Sequence, residues 1–230
     1  MSLFITGTDT HVGKTLVTAG LTALAQQRDE SVCVFKPIQT GCSPNNTPED
    51  LETIKSLVGN ETLPTFCSYA LSEPLAPYAA DPERTIRPRK ILEDFKELQS
   101  TYKTILVEGA GGVRVPIARH FEMTDLIRML QLPVLVVARP NLGTMNHTLL
   151  TVDALLAQRL EVKGVVISGG CPPGGALSDN PDRAIATLLE TLEAFLPVPI
   201  LGVLPDFSVS PGLFHSSQTE NLAFFQTLLV

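Results

Sequence analysis

Several short runs in this chain are apolar at every position rather than at alternate ones: Leu3-Phe4-Ile5, Ile105-Leu106-Val107 and the stretch over residues 133–138. A strand of that kind has no face to give to water, so it belongs inside a sheet covered on both sides. Between such runs lie stretches with helical spacing, among them 14–27, where Leu16, Gly20 and Leu24 share a face. This alternation predicts an α/β fold, a largely parallel sheet with helices on both faces. Strands are predicted at 3–5, 32–35, 104–107, 133–138, 164–167 and 200–203, and helices at 14–27, 48–58, 91–98, 146–157, 184–195 and 221–229. The stretch 62–88, rich in proline and polar residues, is expected to be a long surface excursion, and 169–181 a Gly/Pro loop. With no internal repeat and no clear linker, one domain over 1–230 is expected.

Parallel sheets take their ligands at the carboxyl ends of the strands, so the residues after each predicted strand carry the functional information. The first strand is followed by Gly7-Thr8-Asp9-Thr10-His11-Val12-Gly13-Lys14-Thr15. Gly13-Lys14-Thr15, opening a helix, is the close of a Walker A phosphate loop and points to a P-loop NTPase-like sheet. In such a loop backbone N–H groups point at phosphate oxygens, Lys14 adds a full charge, and the Thr15 hydroxyl can ligate magnesium. The first glycine of the common form would stand at position 8; here that residue is Thr8 and the glycine is Gly7. The loop does not say which chemistry the nucleotide serves.

Three further segments carry charge at strand ends or helix starts. In Lys36-Pro37-Ile38-Gln39-Thr40-Gly41 the lysine is either an ordinary solvated cation or a group that stabilises an anion beside the γ-phosphate. In Thr47-Pro48-Glu49-Asp50 the spacing fits a helix start with Thr47 as N-cap, Pro48 in the first turn and Asp50 completing a capping box. The other reading makes Asp50 a magnesium or nucleotide ligand. In Glu108-Gly109-Ala110-Gly111-Gly112 the carboxylate follows an apolar strand, where an acid assists magnesium in P-loop proteins, and the glycines admit close backbone approach; a structural acid is the alternative. Thr15, Asp50 and Glu108 are hard oxygen donors, which suit magnesium rather than zinc. His11, His120, His147 and His215 have no metal-ligand spacing, and no nucleophile elbow is present. Arg114, Arg119 and Arg139 read as solvated or structural, although Arg139 ends a buried strand.

The net charge is −7 with no block of Lys or Arg, which argues against a nucleic-acid partner. Cys33, Cys42, Cys67 and Cys171 make no C-x-x-C pair and read as reduced thiols. The longest apolar run, around 132–138, is too short to span a bilayer, and residues 1–7 lack the features of a signal peptide, so a cytoplasmic location is expected.

Taken together, Gly7-Thr8-Asp9-Thr10-x-Val12-Gly13-Lys14-Thr15, Lys36-Pro37-x-x-Thr40-Gly41, Glu108-Gly109-Ala110-Gly111-Gly112 and Leu142-Gly143-Thr144-Met145-Asn146-His147 resemble dethiobiotin synthetase in order and spacing, over residues 4–207. The displaced glycine is part of that family's form. The resemblance implies Lys36 and Lys14 as catalytic cations, Thr40 and Thr10 as contacts to a diamine, and Thr15, Asp50 and Glu108 as magnesium ligands. It implies phosphate contacts from His11, Val12, Gly13, Lys14, Thr15 and Leu16 and from Glu108, Gly109, Ala110 and Gly111. It implies base contacts from Ser168 and Gly169, where the family often carries a longer Asn, and from Pro205, Asp206 and Phe207. The family is homodimeric, so Leu142, Gly143 and Asn146 are implied to hold the substrate carboxylate across the subunit interface. Implied substrates are 7,8-diaminopelargonate, carbon dioxide and ATP, with magnesium as cofactor and dethiobiotin, ADP and phosphate as products. The rival is a partitioning or positioning ATPase switch; those relatives use a second lysine early in the loop, whereas this loop has Lys14 alone. A nucleotide-binding module without catalysis is a third reading.

Overall fold

The computed structural model describes residues 2–43, 46–169, 181–204, 209–215 and 219–228. In chain order the elements are β1 (Leu3–Gly7), α1 (Lys14–Gln27), β2 (Val32–Thr40), α2 (Glu49–Val58), β3 (Thr65–Leu71), α3 (Pro77–Ala80), α4 (Pro88–Thr101), β4 (Thr104–Gly112), β5 (Pro116–Ala118), β6 (Phe121–Glu122), α5 (Met123–Leu130), β7 (Val134–Ala138), α6 (Thr144–Ala157), β8 (Val162–Ser168), α7 (Pro181–Phe195), β9 (Ile200–Leu204) and α8 (Thr219–Thr227). Seven strands form one parallel sheet in the order β3-β2-β4-β1-β7-β8-β9.

Each central strand feeds two cores, which is why its sequence is apolar throughout. Phe4, Phe35, Val107, Val136 and Ile167 face one side, with Phe95 of α4, Ile127 of α5, Val152 of α6 and Leu192 of α7. Their sequence neighbours Ile5, Val34, Leu106, Val137 and Val166 face the other, with Val17 of α1, Ile54 of α2 and Phe225 of α8. Period-two alternation of side chains sends adjacent apolar residues to opposite faces.

The structure corrects the predicted layout in places. The stretch 62–88 is no plain surface excursion: it holds the edge strand β3 and the short helix α3. β3 is half-exposed along most of its length, so Thr65 and Ser68 dilute the apolar signal of a central strand. The β5–β6 hairpin and α5 occupy a stretch for which no element is predicted. β2 and β4 run on past 35 and 107, to Thr40 and Gly112, so Lys36 and Glu108 lie inside strands rather than after them. The cause is that a polar residue interrupts an apolar run without interrupting the strand.

That extension creates the crevice. β2 and β4 pair from Val32↔Thr104 only as far as Phe35↔Val107. Beyond that point β2 continues against β3, through Ile38↔Tyr69 and Thr40↔Leu71, while β4 continues against β1, through Ile5↔Glu108 and Gly7↔Gly112. Val34 N–H donates to the Pro64 carbonyl on the β3 side. Because alternate residues direct their N–H groups to alternate sides, Pro37 faces β4 with no donor to offer. The ladder ends there, and the sheet parts between β2 and β4. Among the described residues no helix is long and apolar enough to cross a membrane.

Candidate active site

The phosphate loop runs from the end of β1 to the start of α1, and two glycines make its path possible. A β-carbon at Gly7 would lie 2.6 Å from Val12 Cγ2 and 2.9 Å from the Asp9 carbonyl, because the loop folds back over that position. This close approach explains the glycine at 7. Gly13, the N-cap of α1, has φ +95°, and a β-carbon there would meet Ser168 Oγ at 2.3 Å. Lys14 Nζ reaches back to donate to the Asp9 carbonyl at 2.9 Å. Burial, then the like charge of Lys36, lowers the Lys14 pKa to about 8 against the opposing pull of Glu108, Asp50 and Asp9.

At the parting of β2 and β4 the charges converge. Lys36 is 3% exposed, and its Nζ lies 2.5 Å from Asp50 Oδ2, 2.7 Å from Glu108 Oε1 and 3.4 Å from the Gly109 carbonyl. The solvated reading of Lys36 is thereby excluded. Burial alone would lower its pKa, but Glu108 and Asp50 outweigh burial and raise it above the ordinary lysine value, so the ammonium form is held. Thr15 Oγ1, in the first turn of α1, stands 3.4 Å from Asp50 Oδ1 and 3.2 Å from Glu108 Oε1.

The capping reading of Asp50 also falls. α2 begins at Glu49 with Pro48, not Thr47, at the N-cap position, and no side chain caps it. The Pro48 carbonyl takes the Leu51 and Glu52 N–H groups, and Asp50 is free to turn toward Lys36 and Thr15. Glu108 is 1% exposed, and its Oε2 has no hydrogen-bond partner among the described residues. Thr15, Asp50 and Glu108 thus present hard oxygens around one point, with an unpaired carboxylate oxygen to spare. That donor set fits magnesium, which takes a few protein oxygens and completes its shell with water and phosphate.

Other predicted residues fall as follows. Thr10 is exposed and abuts Gly111: a β-carbon on that glycine would lie 3.8 Å from Thr10 Cγ2, so the phosphate loop and the end of β4 meet. Val12 is buried, Leu16 packs against the core beneath the loop, and His11 is exposed with φ 55°. Gly109 sits against Phe4, and Ala110 is half-buried beside it. Thr40 is half-buried at the end of β2. Ser168, 1% exposed, has its hydroxyl under Gly13 with no partner among the described residues, and Gly169 N–H donates to Leu204. Pro205, Asp206 and Phe207 lie outside the described residues, as does most of the 169–181 loop. Leu142 (88% exposed), Gly143 and Asn146 stand on the outer surface at the start of α6.

A model of the AAA domain family matches residues 1–210. The ATP-dependent dethiobiotin synthetase BioD of Bacillus subtilis (strain 168) is 37% identical over 208 residues, covering 88% of this chain and 86% of that protein. The chain belongs to the dethiobiotin synthetase family. The corresponding protein of Bacillus licheniformis is 38% identical over 221 residues, 92% of this chain and 89% of its own length. As a family member the chain is an ATP-using ligase. Among solved structures, a chain of the MinC:MinD cell division protein complex of Aquifex aeolicus superimposes with a TM-score of 0.63 at 16% identity, covering 99% of this chain and 93% of that one. The septum site-determining protein MinD complexed with Mg-ADP from Pyrococcus horikoshii OT3 gives 0.62 at 16%, covering 99% and 94%. At that identity the likeness is one of fold, and it bears out the α/β P-loop NTPase architecture.

One partner of the loop was not legible as such. Arg139, at the carboxyl end of β7, places NH2 3.2 Å from Asp9 Oδ2, and Asp9 Oδ1 accepts the Thr10 N–H at 2.7 Å. The available signal was position alone: a charge directly after a fully apolar strand that turns out to neighbour β1.

Proposed function

We propose that this chain is an ATP-dependent dethiobiotin synthetase acting as one domain in the cytoplasm. It joins carbon dioxide to 7,8-diaminopelargonate and closes the ureido ring, releasing ADP and phosphate. The observation that carries the reading is the Lys36–Asp50–Glu108–Thr15 cluster at the mouth of the phosphate loop, in a chain 37% identical to a dethiobiotin synthetase over 208 residues.

An uncharged amine of the substrate attacks carbon dioxide to give a carbamate. A carbamate oxygen then attacks the γ-phosphorus and ADP leaves. The second amine attacks the carbonyl carbon of the mixed anhydride, phosphate leaves, and a proton is lost as the ring closes. No protein nucleophile is needed, so the chain's work is position and field. Lys14 and Lys36 offset the charge on the transferring phosphoryl group. The loop His11 to Leu16 and the end of β4 from Glu108 to Gly111 hold phosphate oxygens. Thr15, Asp50 and Glu108 would hold magnesium, which when bound draws charge from the phosphate oxygens. Thr10 and Thr40 position the diamine; base contacts are assigned to Ser168, Gly169, Pro205, Asp206 and Phe207 on the family resemblance alone. The described cysteines Cys33, Cys42 and Cys67 are free thiols, in keeping with a reducing cytoplasm.

We also infer a homodimer in which Leu142, Gly143 and Asn146 hold the substrate carboxylate in the neighbouring subunit's site. The support is an exposed apolar surface on and before α6, with Leu142, Met145, Leu150 and Leu156 all uncovered in the single chain.

The test is product analysis with 7,8-diaminopelargonate, labelled bicarbonate and each nucleoside triphosphate in turn. Label should enter dethiobiotin with ATP and magnesium. ATP hydrolysis that ignores the diamine and instead responds to DNA or lipid would establish the switch reading in its place.

A further inference from the structure

The Lys36 ammonium sits where a cation would have to go. Its Nζ is 2.5 Å from Asp50 Oδ2 and 2.7 Å from Glu108 Oε1, and Thr15 Oγ1 stands 3.2 Å from that same Glu108 oxygen. Magnesium needs its oxygen ligands at about 2.0–2.1 Å, and an ammonium nitrogen this close to Asp50 Oδ2 and Glu108 Oε1 leaves no room for an ion that takes both of those oxygens. Charge forbids sharing as strongly as space does, because a divalent cation within about 4 Å of an ammonium in a poorly solvated site repels it. Lys36 and Glu108 are both nearly sealed from solvent.

We propose that Lys36 and a divalent cation are alternative occupants of the Asp50–Glu108 carboxylate pair, so that the metal enters only as the lysine swings out into the crevice. The inference deepens the reading of this site as the ATP and magnesium site and rests on it. Glu108 Oε2, buried and without a partner among the described residues, is the second ligand oxygen that the lysine leaves unused. Two carboxylates facing one ammonium also leave the pair short of positive charge, and a divalent ion makes up the difference. Once displaced, the Lys36 charge needs another anion. The crevice between β2 and β4 opens beside the phosphate loop, and a terminal phosphate there supplies it. Metal and nucleotide therefore enter together, and the exchange aims Lys36 at the phosphoryl group at the moment the metal is seated. One side chain thus serves first as a stopper and then as a charge on the reacting group.

The experiment uses Mn2+ as the probe, with no nucleotide, on the full chain. Free Mn2+ is read by electron paramagnetic resonance, and the melting temperature is followed in parallel. Lys36→Met should bind Mn2+ at least about tenfold tighter than the wild type. Mn2+ at about one hundred times its Kd should raise the Tm of that variant by about 5 °C or more. Lys36→Gln, which keeps a donor but no charge, should show the same gain in affinity. Lys36→Met/Glu108→Gln should lose both effects. Equal or weaker Mn2+ binding by the two single variants overturns the proposal, as does a Lys36→Met protein that stays unfolded at every Mn2+ concentration. Product formation by the wild type is a separate measurement, so failure of the synthetase reading and failure of the exchange are told apart.

Discussion

Gly13→Ala is the sharpest test of how the phosphate loop is built. Two effects act at that position. The backbone has φ +95°, and an L-residue held in left-handed territory costs roughly 1–2 kcal/mol. The new β-carbon would also sit 2.3 Å from Ser168 Oγ and 2.9 Å from Ser168 Cβ. Ser168 is 1% exposed and ends β8, so it has nowhere to turn, and overpacking of this kind costs about 1–3 kcal/mol. Together the two predict a loss of about 2–5 kcal/mol, or a Tm lower by about 4–20 °C for a chain of this size. Ser168→Gly removes both atoms that the methyl group would strike and leaves φ untouched. The double variant should therefore recover about 1–3 kcal/mol, the steric share alone, and the pair should be non-additive by that amount. Thermal and urea melts of the four proteins give the cycle, and calorimetric titration with ATP reports whether the loop still grips phosphate. Additive effects, or a Gly13→Ala protein with unchanged Tm and ATP affinity, would refute the packing argument.

Lys36→Ala should keep ATP binding within a few-fold of the wild type while ring closure falls by at least about 10²-fold, as measured by product formation at saturating substrates. Asp81 is 5% exposed; burial would raise its pKa, but the N–H groups of Ile86 and Thr85 and the Thr85 hydroxyl hold it below the usual value. A depressed folded-state pKa contributes stability above the unfolded value of about 3.9 and loses it as pH falls through the folded one. Urea melts at stepped pH should thus show the wild type losing more stability below about pH 4 than Asp81→Asn, and equal acid slopes would count against the assignment. Burial pushes the Cys33 thiol up to about 12 and the Cys67 thiol up to about 11, so iodoacetamide at pH 8 should spare both in the native protein and label them in guanidinium. Rapid native labelling of either would contradict the structure.

The sequence carried the central strands and the phosphate loop because both obey strong local rules: double-sided burial makes an apolar run, and backbone cradling of phosphate demands Gly13-Lys14-Thr15 at a helix start. It understated β2, β4 and β3 for related reasons. Lys36 and Glu108 are polar residues inside strands, tolerated because each answers the other across the parting of the sheet, and that pairing is non-local by 72 residues. β3 is an edge strand whose half-exposed pattern looks like loop composition. Asp50 had two readings of similar local quality. The choice turned on where β2 delivers Lys36, which no window around Thr47 to Asp50 contains. The Asp9–Arg139 contact joins residues 130 positions apart and depends on β7 lying next to β1, a fact of topology.

The position of the active site follows from the break in one ladder. β2 and β4 are bound by backbone up to Phe35 and Val107; beyond that, Pro37 has no N–H to give and the strands separate. Past that point Lys36 bridges to β4 with its side chain, pairing with Glu108 and reaching the Gly109 carbonyl at 3.4 Å. Side-chain charge takes over across the gap from backbone hydrogen bonds. The substitution is what makes the join reversible. A backbone ladder cannot be exchanged for a ligand without unfolding a strand, whereas an ammonium can leave two carboxylates to a metal and turn to a phosphate with both strands in place. Replacing Pro37 by a residue with an N–H, such as Pro37→Val, should let the ladder close further and stiffen the mouth. Slower amide exchange at Ala110, whose N–H falls on the β2 side as that of Thr104 does, with a lower kcat is the expected result. Unchanged exchange there would show that the side chains, and not the missing donor, hold the strands apart.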